Sequence, residues 1–462
     1  MTGPLTIRNV EVAGRPGLDV RLEAGRIAQI GTSLSRTADD LDGRGGALIP
    51  GLCDHHIHLF GLAARADSVT LEGVASPDAF ATHIMAAAAA RPTGAWIRVF
   101  GYHEAMAGDL ARDVLDRLAP RHRVRVQHQT GSLWVLNSLA IAALGEGDDP
   151  PGLERGAGRI WRGDAWLRSR IGAAPPPLAP IGARLAAYGI TALTDASVTT
   201  DADAAARLAD AHRAGDLPQR LTLMSGGALS APADAAFAVG PLKVLLDDHS
   251  LPDLDDFVSR IADARAWGRP VAVHCVTTAE LALTLAAFET AGARPGDRVE
   301  HGGVIPLSAI PQLKALNLTV VTQPAFIHER GDRYAAEVDP ADQPDLYRCA
   351  SLLAAGVPVA ASSDAPYASP DPWAGIAAAV TRRSVGGRVL GAGEALDPVR
   401  ALGLYLDEAA APGVAPRRVE TGAVADLCLL SVPLAQVLAR PVEAQVRATL
   451  IGGRPAYTAP AA

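Results

Sequence analysis

Pro50-Gly51-Leu52-Cys53-Asp54-His55-His56-Ile57-His58 reads as a proline–glycine turn feeding a short apolar strand that ends in a His-x-His pair. Side chains on a strand alternate faces, so His56 and His58 project to one side and Ile57 to the other. Two imidazoles one strand repeat apart can hold a single metal ion, and imidazole suits zinc, iron, nickel or copper. His55 is out of phase with the pair. Taken alone, the tripeptide reads equally as a polar strand edge or a hydrogen-bonded core pair, and the rest of the chain has to decide.

At 462 residues the chain is too long for one small core, which predicts one large domain and a smaller one. Hydrophobic residues make up 49% and charged residues 20%, a globular composition. Forty-two basic residues against 50 acidic ones give a net charge of −8, which argues against nucleic acid or an anionic membrane as the main partner. A small-molecule substrate is expected, with a homodimer as the expected assembly. No apolar run reaches the length of a membrane span, and Met1-Thr2-Gly3-Pro4 begins no secretory signal. Cys53, Cys275, Cys349 and Cys428 form no CxxC pair, so free thiols in a reducing cytoplasm are expected. Lysine occurs only at Lys243 and Lys314, so a lysine kept inside a strand invites a chemical reason.

Outward from the opening stretch, residues 5–49 alternate with period two between Gly and Asp turns, and residues 426–430 and 446–453 have the same character. Neither end has enough strands for its own core, so residues 1–49 and 396–462 are expected to join in one β-sandwich. Between them, apolar strands are predicted at 47–54, 190–195, 220–225, 242–247, 271–275, 298–302, 318–323 and 357–363. Helical stretches such as 254–267, 279–291, 307–316 and 346–355 separate most of them. Eight β/α units in series predict an α/β fold, a (β/α)8 TIM-type barrel over residues 50–395, with an insertion at about 62–185. A barrel's chemistry sits at the C-terminal ends of its strands.

The polar residues fall there. His56 and His58 end the first strand, Lys243 lies in the fourth, His274 ends the fifth, His301 the sixth and Asp364 the eighth. A lone strand-end histidine is usually a satisfied polar residue. Six such residues on these strands, in a chain with 12 histidines, point to a shared metal site.

With those residues, the chain resembles the amidohydrolase superfamily of metal-dependent barrel hydrolases over essentially its full length. Pro50, Gly51, Asp54, His56 and His58 meet that family's Pro-Gly-x-x-Asp-x-His-x-His pattern. Trp96-Ile97-Arg98 with Gly101-Tyr102, the long insertion and Trp134-Val135-Leu136-Asn137-Ser138 resemble the YtcJ-like branch, which includes N-substituted formamide deformylase. The resemblance implies two divalent metal ions, zinc foremost. His56, His58 and Asp364 would hold the more buried one, His274 and His301 the more exposed one. A CO2-derived carbamate on Lys243 would bridge them. Carboxylation needs a neutral amine, and a desolvated lysine has a depressed pKa, whereas arginine keeps its proton. The plain alternative for Lys243 is an ion pair with Asp247 or Asp248.

Two metals about 3.5–4 Å apart would share a hydroxide as nucleophile. Asp364 would accept a proton as a carbonyl carbon is attacked, then deliver it to the leaving nitrogen. The expected reaction is hydrolysis of an amide-type C–N bond. Two alternatives are an aminohydrolase acting on a ring carbon and a catalytically inactive scaffold. Ring deaminases resembling this chain place a glutamate three residues after the fifth-strand histidine, where this chain has Thr277, with Glu280 beyond it. Where relatives carry Asp-Gly-His, this chain has Thr130-Gly131-Ser132, with His128 nearby. Residues 324–344 are expected to form a charged lid loop. His128, Trp134, Gln323, Tyr334 and Tyr367, with Trp373, are candidates for lining the substrate pocket.

Overall fold

The computed structural model describes residues 3–36, 39–71, 73–172 and 176–460. The chain divides into two compact units, Met1–Leu59 with Leu178–Ala462, and Phe60–Pro177.

In the first unit, eight strands lie side by side in one parallel sheet: Leu52–Ile57, Ile190–Asp195, Arg220–Ser225, Ala238–Val244, Val271–Cys275, Arg298–His301, Thr319–Thr322 and Val359–Ala361. Their buried runs, such as Val271-Ala272-Val273, are apolar on both faces because helices cover the outside of a parallel sheet. The sheet curls until its ends meet. The backbone N–H of Asp364 donates to the His56 carbonyl at 2.8 Å, and that of His58 to the Ala365 carbonyl at 2.8 Å. Asp54 reinforces the seam, accepting from the Ser363 N–H at 3.1 Å and the Ser363 hydroxyl at 2.5 Å.

The predicted first strand, 47–54, is two strands in two sheets. Leu48–Pro50 pairs antiparallel with Leu427–Leu430, and Leu52–Ile57 begins the barrel. The chain crosses at Gly51, where a Cβ would lie 2.1 Å from the Thr191 methyl, so only glycine passes. Two four-stranded sheets, drawn from both chain ends, face each other over Ile7, Val20, Leu48, Leu427 and Leu450. Each sheet alone would expose its apolar face, which is why both termini are needed. The C-terminal strands begin at Leu427, and the earlier helix Pro398–Gly403 packs with Pro372–Thr381.

The second unit has its own mixed sheet, ordered Leu153–Glu154, Arg159–Trp161, Leu133–Leu136, Arg123–His128, Trp96–Tyr102 and Val69–Thr70. Separate apolar clusters around Phe80, Ile97 and Val124, and around Trp134, Leu136 and Ile160, give it an independent core. It ends before the expected residue 185. The helix Ala179–Ala187 belongs to the first unit, burying Ile181 and Leu185, and Thr449 donates to the Ala186 carbonyl at 2.6 Å. No helix among the described residues is long and apolar enough to cross a membrane.

Candidate metal centre

The closing seam of the barrel brings His56, His58 and Asp364 together. The Asp364 Oδ1 atom lies 3.1 Å from His58 Nε2 and 3.5 Å from His56 Nε2. Asp364 has a left-handed backbone (φ 53°), as does His301 (φ 69°). Strand alternation would send Glu300 and His301 to opposite faces. The reversed backbone at His301 allows both to face the site, a local strain of the kind found at functional positions.

The remaining imidazoles follow. The His301 ring centroid is 4.8 Å from that of His56 and 4.5 Å from that of His274, and the His56 and His58 rings are 5.3 Å apart. Three of the four are held from behind at Nδ1. His56 Nδ1 meets the carboxylate of Glu300, His58 Nδ1 lies 3.1 Å from Ser197 Oγ, and His301 Nδ1 lies 2.9 Å from Gln323 Oε1. An acceptor at Nδ1 takes that nitrogen's proton in a hydrogen bond and leaves Nε2 with its lone pair, the state a metal ligand requires.

Burial sets the charge state. Desolvation pushes the His56 and His301 imidazoles well below their usual range and His274 to about 4, so all three are neutral bases at pH 7. Lys243 is 3% exposed and its Nζ has no hydrogen-bond partner among the described residues. Burial lowers its pKa although Glu300 and Asp364 pull the other way. The expected alternative, an ion pair with Asp247 or Asp248, is not what Lys243 makes; Asp248 accepts from Thr277 Oγ1 at 3.1 Å. A buried amine without a hydrogen-bond partner and an Asp364 Oδ1 that only faces imidazole nitrogens both fit a cradle completed by metal. Lys314, by contrast, is exposed on the helix Ile310–Ala315.

Sequence reading missed Glu300 and its partner. Both carboxylate oxygens are engaged, one on His56 and the other 2.5 Å from Arg298 Nε, and neither side chain is more than 2% exposed. The signal was present in Arg298-Val299-Glu300-His301, whose alternation puts 298 and 300 on the barrel's inner face.

The expected pocket residues scatter. Tyr367, 47% exposed, presents its ring edge-on to His58 at 5.8 Å. Tyr334 stacks on Tyr347, their hydroxyls 3.1 Å apart. Gln323 is fully buried and braces His301, its amide donating to Ser362 Oγ at 2.9 Å. Trp373 is buried and donates to the Tyr188 carbonyl at 3.1 Å, a packing anchor. The expected lid is mostly a helix, Ala325–Glu337, whose buried Phe326, Ile327 and Gly331 recur at helical spacing. His128 and Trp134 lie in the insertion unit. Trp134 donates to Asp164 Oδ1 at 2.8 Å, and His128 Nε2 lies 3.2 Å from Glu104 Oε2.

A parallel barrel with imidazoles and a carboxylate gathered at its strand ends is an arrangement that could hold a metal ion where barrel enzymes place their chemistry. The profile of the amidohydrolase family matches residues 40–457, and the chain belongs to that family, whose members hydrolyse carbon–nitrogen bonds other than peptide bonds. It is 23% identical to the N-substituted formamide deformylase of Arthrobacter pascens, over 92% of each chain. It is 24% identical to the putative amidohydrolase YtcJ of Bacillus subtilis (strain 168), over 85% of this chain and 84% of that one. The crystal structure of an uncharacterized metal-dependent hydrolase from Pyrococcus horikoshii OT3 superposes with a TM-score of 0.75 at 20% identity, covering 92% of this chain and 96% of that one.

Proposed function

We propose that the protein hydrolyses an amide-type C–N bond of a small molecule. Two divalent metal ions, zinc foremost, would be held by His56, His58, His274, His301, Asp364 and a carboxylated Lys243. One observation carries the reading: His56, His58 and His301, each held at Nδ1 from behind, gather with His274 at the Asp364 carboxylate, and the buried Lys243 Nζ has no hydrogen-bond partner among the described residues. Bound metal supplies a nucleophile at neutral pH and polarises the substrate carbonyl.

The chain's own residues do the rest. Burial lowers the Lys243 pKa and so favours the neutral amine, which would add CO2 and lose a proton to give an anion suited to a cationic centre. The Asp364 carboxylate takes a proton as the carbonyl carbon is attacked, then returns it to the leaving nitrogen as the C–N bond breaks. Ring deamination is disfavoured by Glu280. Its carboxylate accepts from the N–H groups of Val276 at 2.6 Å and Thr277 at 3.0 Å, closing a capping box at the helix Thr278–Ala291. It is committed to the helix end. The relationship to a formamide deformylase supports an N-substituted amide as substrate. The four free, buried cysteines support a cytoplasmic setting.

Metal analysis of the purified protein, with turnover of a panel of N-formyl and N-acetyl amides, tests the reading. Bound divalent metal with amide hydrolysis that chelators abolish supports it; a protein that takes up no metal refutes it.

A further inference from the structure

The helix Ala325–Glu337 begins directly beyond Gln323, at the mouth of the seventh barrel strand. Residues four apart share a helix face, and there the Arg330 guanidinium lies over the Phe326 ring, 4.1 Å from its centroid. One of its N–H groups donates to the Tyr367 carbonyl at 2.6 Å. Beside it, Glu329 accepts from the Ser369 N–H at 2.8 Å, so the helix and the loop after Asp364 are pinned at two points. The Tyr367 N–H in turn donates to the Asp364 carbonyl at 2.9 Å, and the Tyr367 ring faces His58. Arg330 is thus one hydrogen bond away from the turn that presents Asp364.

Among the described residues no carboxylate pairs with this guanidinium. The acids next to it in sequence are engaged elsewhere: Glu329 on Ser369, and Asp332 on Ser384 Oγ at 2.6 Å and the Gly386 N–H at 2.8 Å. A guanidinium presents five donors in a planar fork that matches a carboxylate bidentately, and here the protein uses one. Its stem is packed and its orientation fixed, which lowers the entropy lost when an anion docks.

We propose that Arg330 receives a carboxylate of the substrate, so the amide cleaved at this barrel belongs to a molecule that also bears a free carboxylate. This rests on the hydrolase reading above and adds the substrate's charge to it.

The test measures binding to the metal-free protein, where a carboxylate has no metal to coordinate. The probes are N-benzoylglycine, N-benzoyl-β-alanine and 4-(benzoylamino)butyrate, each against its neutral carboxamide, by calorimetry. The expected result is that at least one acid binds about tenfold or more tighter than its carboxamide, the worth of a charge-assisted hydrogen bond pair. Arg330→Gln, and Arg330→Met, which keeps an apolar stem over Phe326, are expected to erase that preference with unchanged circular dichroism. Arg330→Lys is expected to keep part of it. A wild type that favours none of the acids, or a preference that survives in both Arg330→Gln and Arg330→Met, overturns the proposal. Turnover by the metal-loaded protein reads the hydrolase assignment separately. Hydrolysis of none of the six probes counts against that assignment, while the binding ratio decides Arg330 either way.

Discussion

Among the described residues, two histidine clusters bring potential metal donors within 4.8 Å of one another: His56, His58 and Asp364 in the barrel, and His103, Glu104 and His128 in the insertion unit. By distance alone they are equivalent. They differ in what lies behind the rings. In the barrel, Nδ1 of His56 faces a carboxylate and Nδ1 of His301 faces an amide oxygen, so each ring gives its proton away on the far side and keeps a lone pair at Nε2. In the insertion, the backbone N–H of Ala105 donates to His103 Nδ1 at 3.1 Å, and that of Thr130 to His128 Nδ1 at 3.2 Å. A nitrogen that accepts carries no proton, so a neutral ring bears it at Nε2, which in His128 lies 3.2 Å from Glu104 Oε2 and in His103 3.9 Å from it. In the second cluster the carboxylate pairs with the His128 ring and lies beside His103. Proximity nominates both clusters; the outer hydrogen bonds favour the one in the barrel.

The sharpest break in that comparison comes from Asp364→Asn, which keeps the shape and removes the base. Steady-state kinetics on an amide substrate are expected to show kcat reduced on the order of 10²–10⁴-fold with the fold intact. An Asn variant of undiminished kcat would remove Asp364 from the chemistry. Next, Lys243→Ala is expected to lower metal affinity by more than the roughly 10–100-fold typical of an outer-sphere partner, with partial recovery in small carboxylates. Metal content that is unchanged by the substitution would contradict the carbamate.

Glu300→Gln tests the brace itself. Because Glu300 acts through His56, chelator competition is expected to show metal affinity weaker by about 10–100-fold while circular dichroism is unchanged. Affinity equal to wild type would mean that the carboxylate behind His56 is only packing. The smallest effect belongs to the insertion: His103→Gln and His128→Gln are expected to leave metal stoichiometry where it was. A metal equivalent lost in either variant would make the two clusters alike after all.

Much of the site was legible because it is periodic. Strand alternation paired His56 with His58, and eight apolar runs put Lys243, His274, His301 and Asp364 on strands that end at one barrel face. Alternation put Glu300 on the inner face with Arg298 and assigned His301 to the other one, and the left-handed backbone at 301 lets both face the site. The expected lid misled for a related reason. Residues 324–344 carry many charges, and charge on the outer face of a helix looks like a solvated loop when the buried Phe326, Ile327 and Gly331 are not weighed at helical spacing.

The sequence by itself determined the barrel, the two-ended sandwich and the types of candidate ligand, because hydrophobic period and residue chemistry are local properties. Tertiary structure alone decided which nitrogens of His56, His58 and His301 are held from behind, that among the described residues Lys243 Nζ has no hydrogen-bond partner and no carboxylate pairs with Arg330, and that Glu280 is spent on a helix cap. Those facts depend on partners far apart in the chain, such as Glu300 behind His56 and Tyr367 against Arg330, and no period in the sequence encodes them.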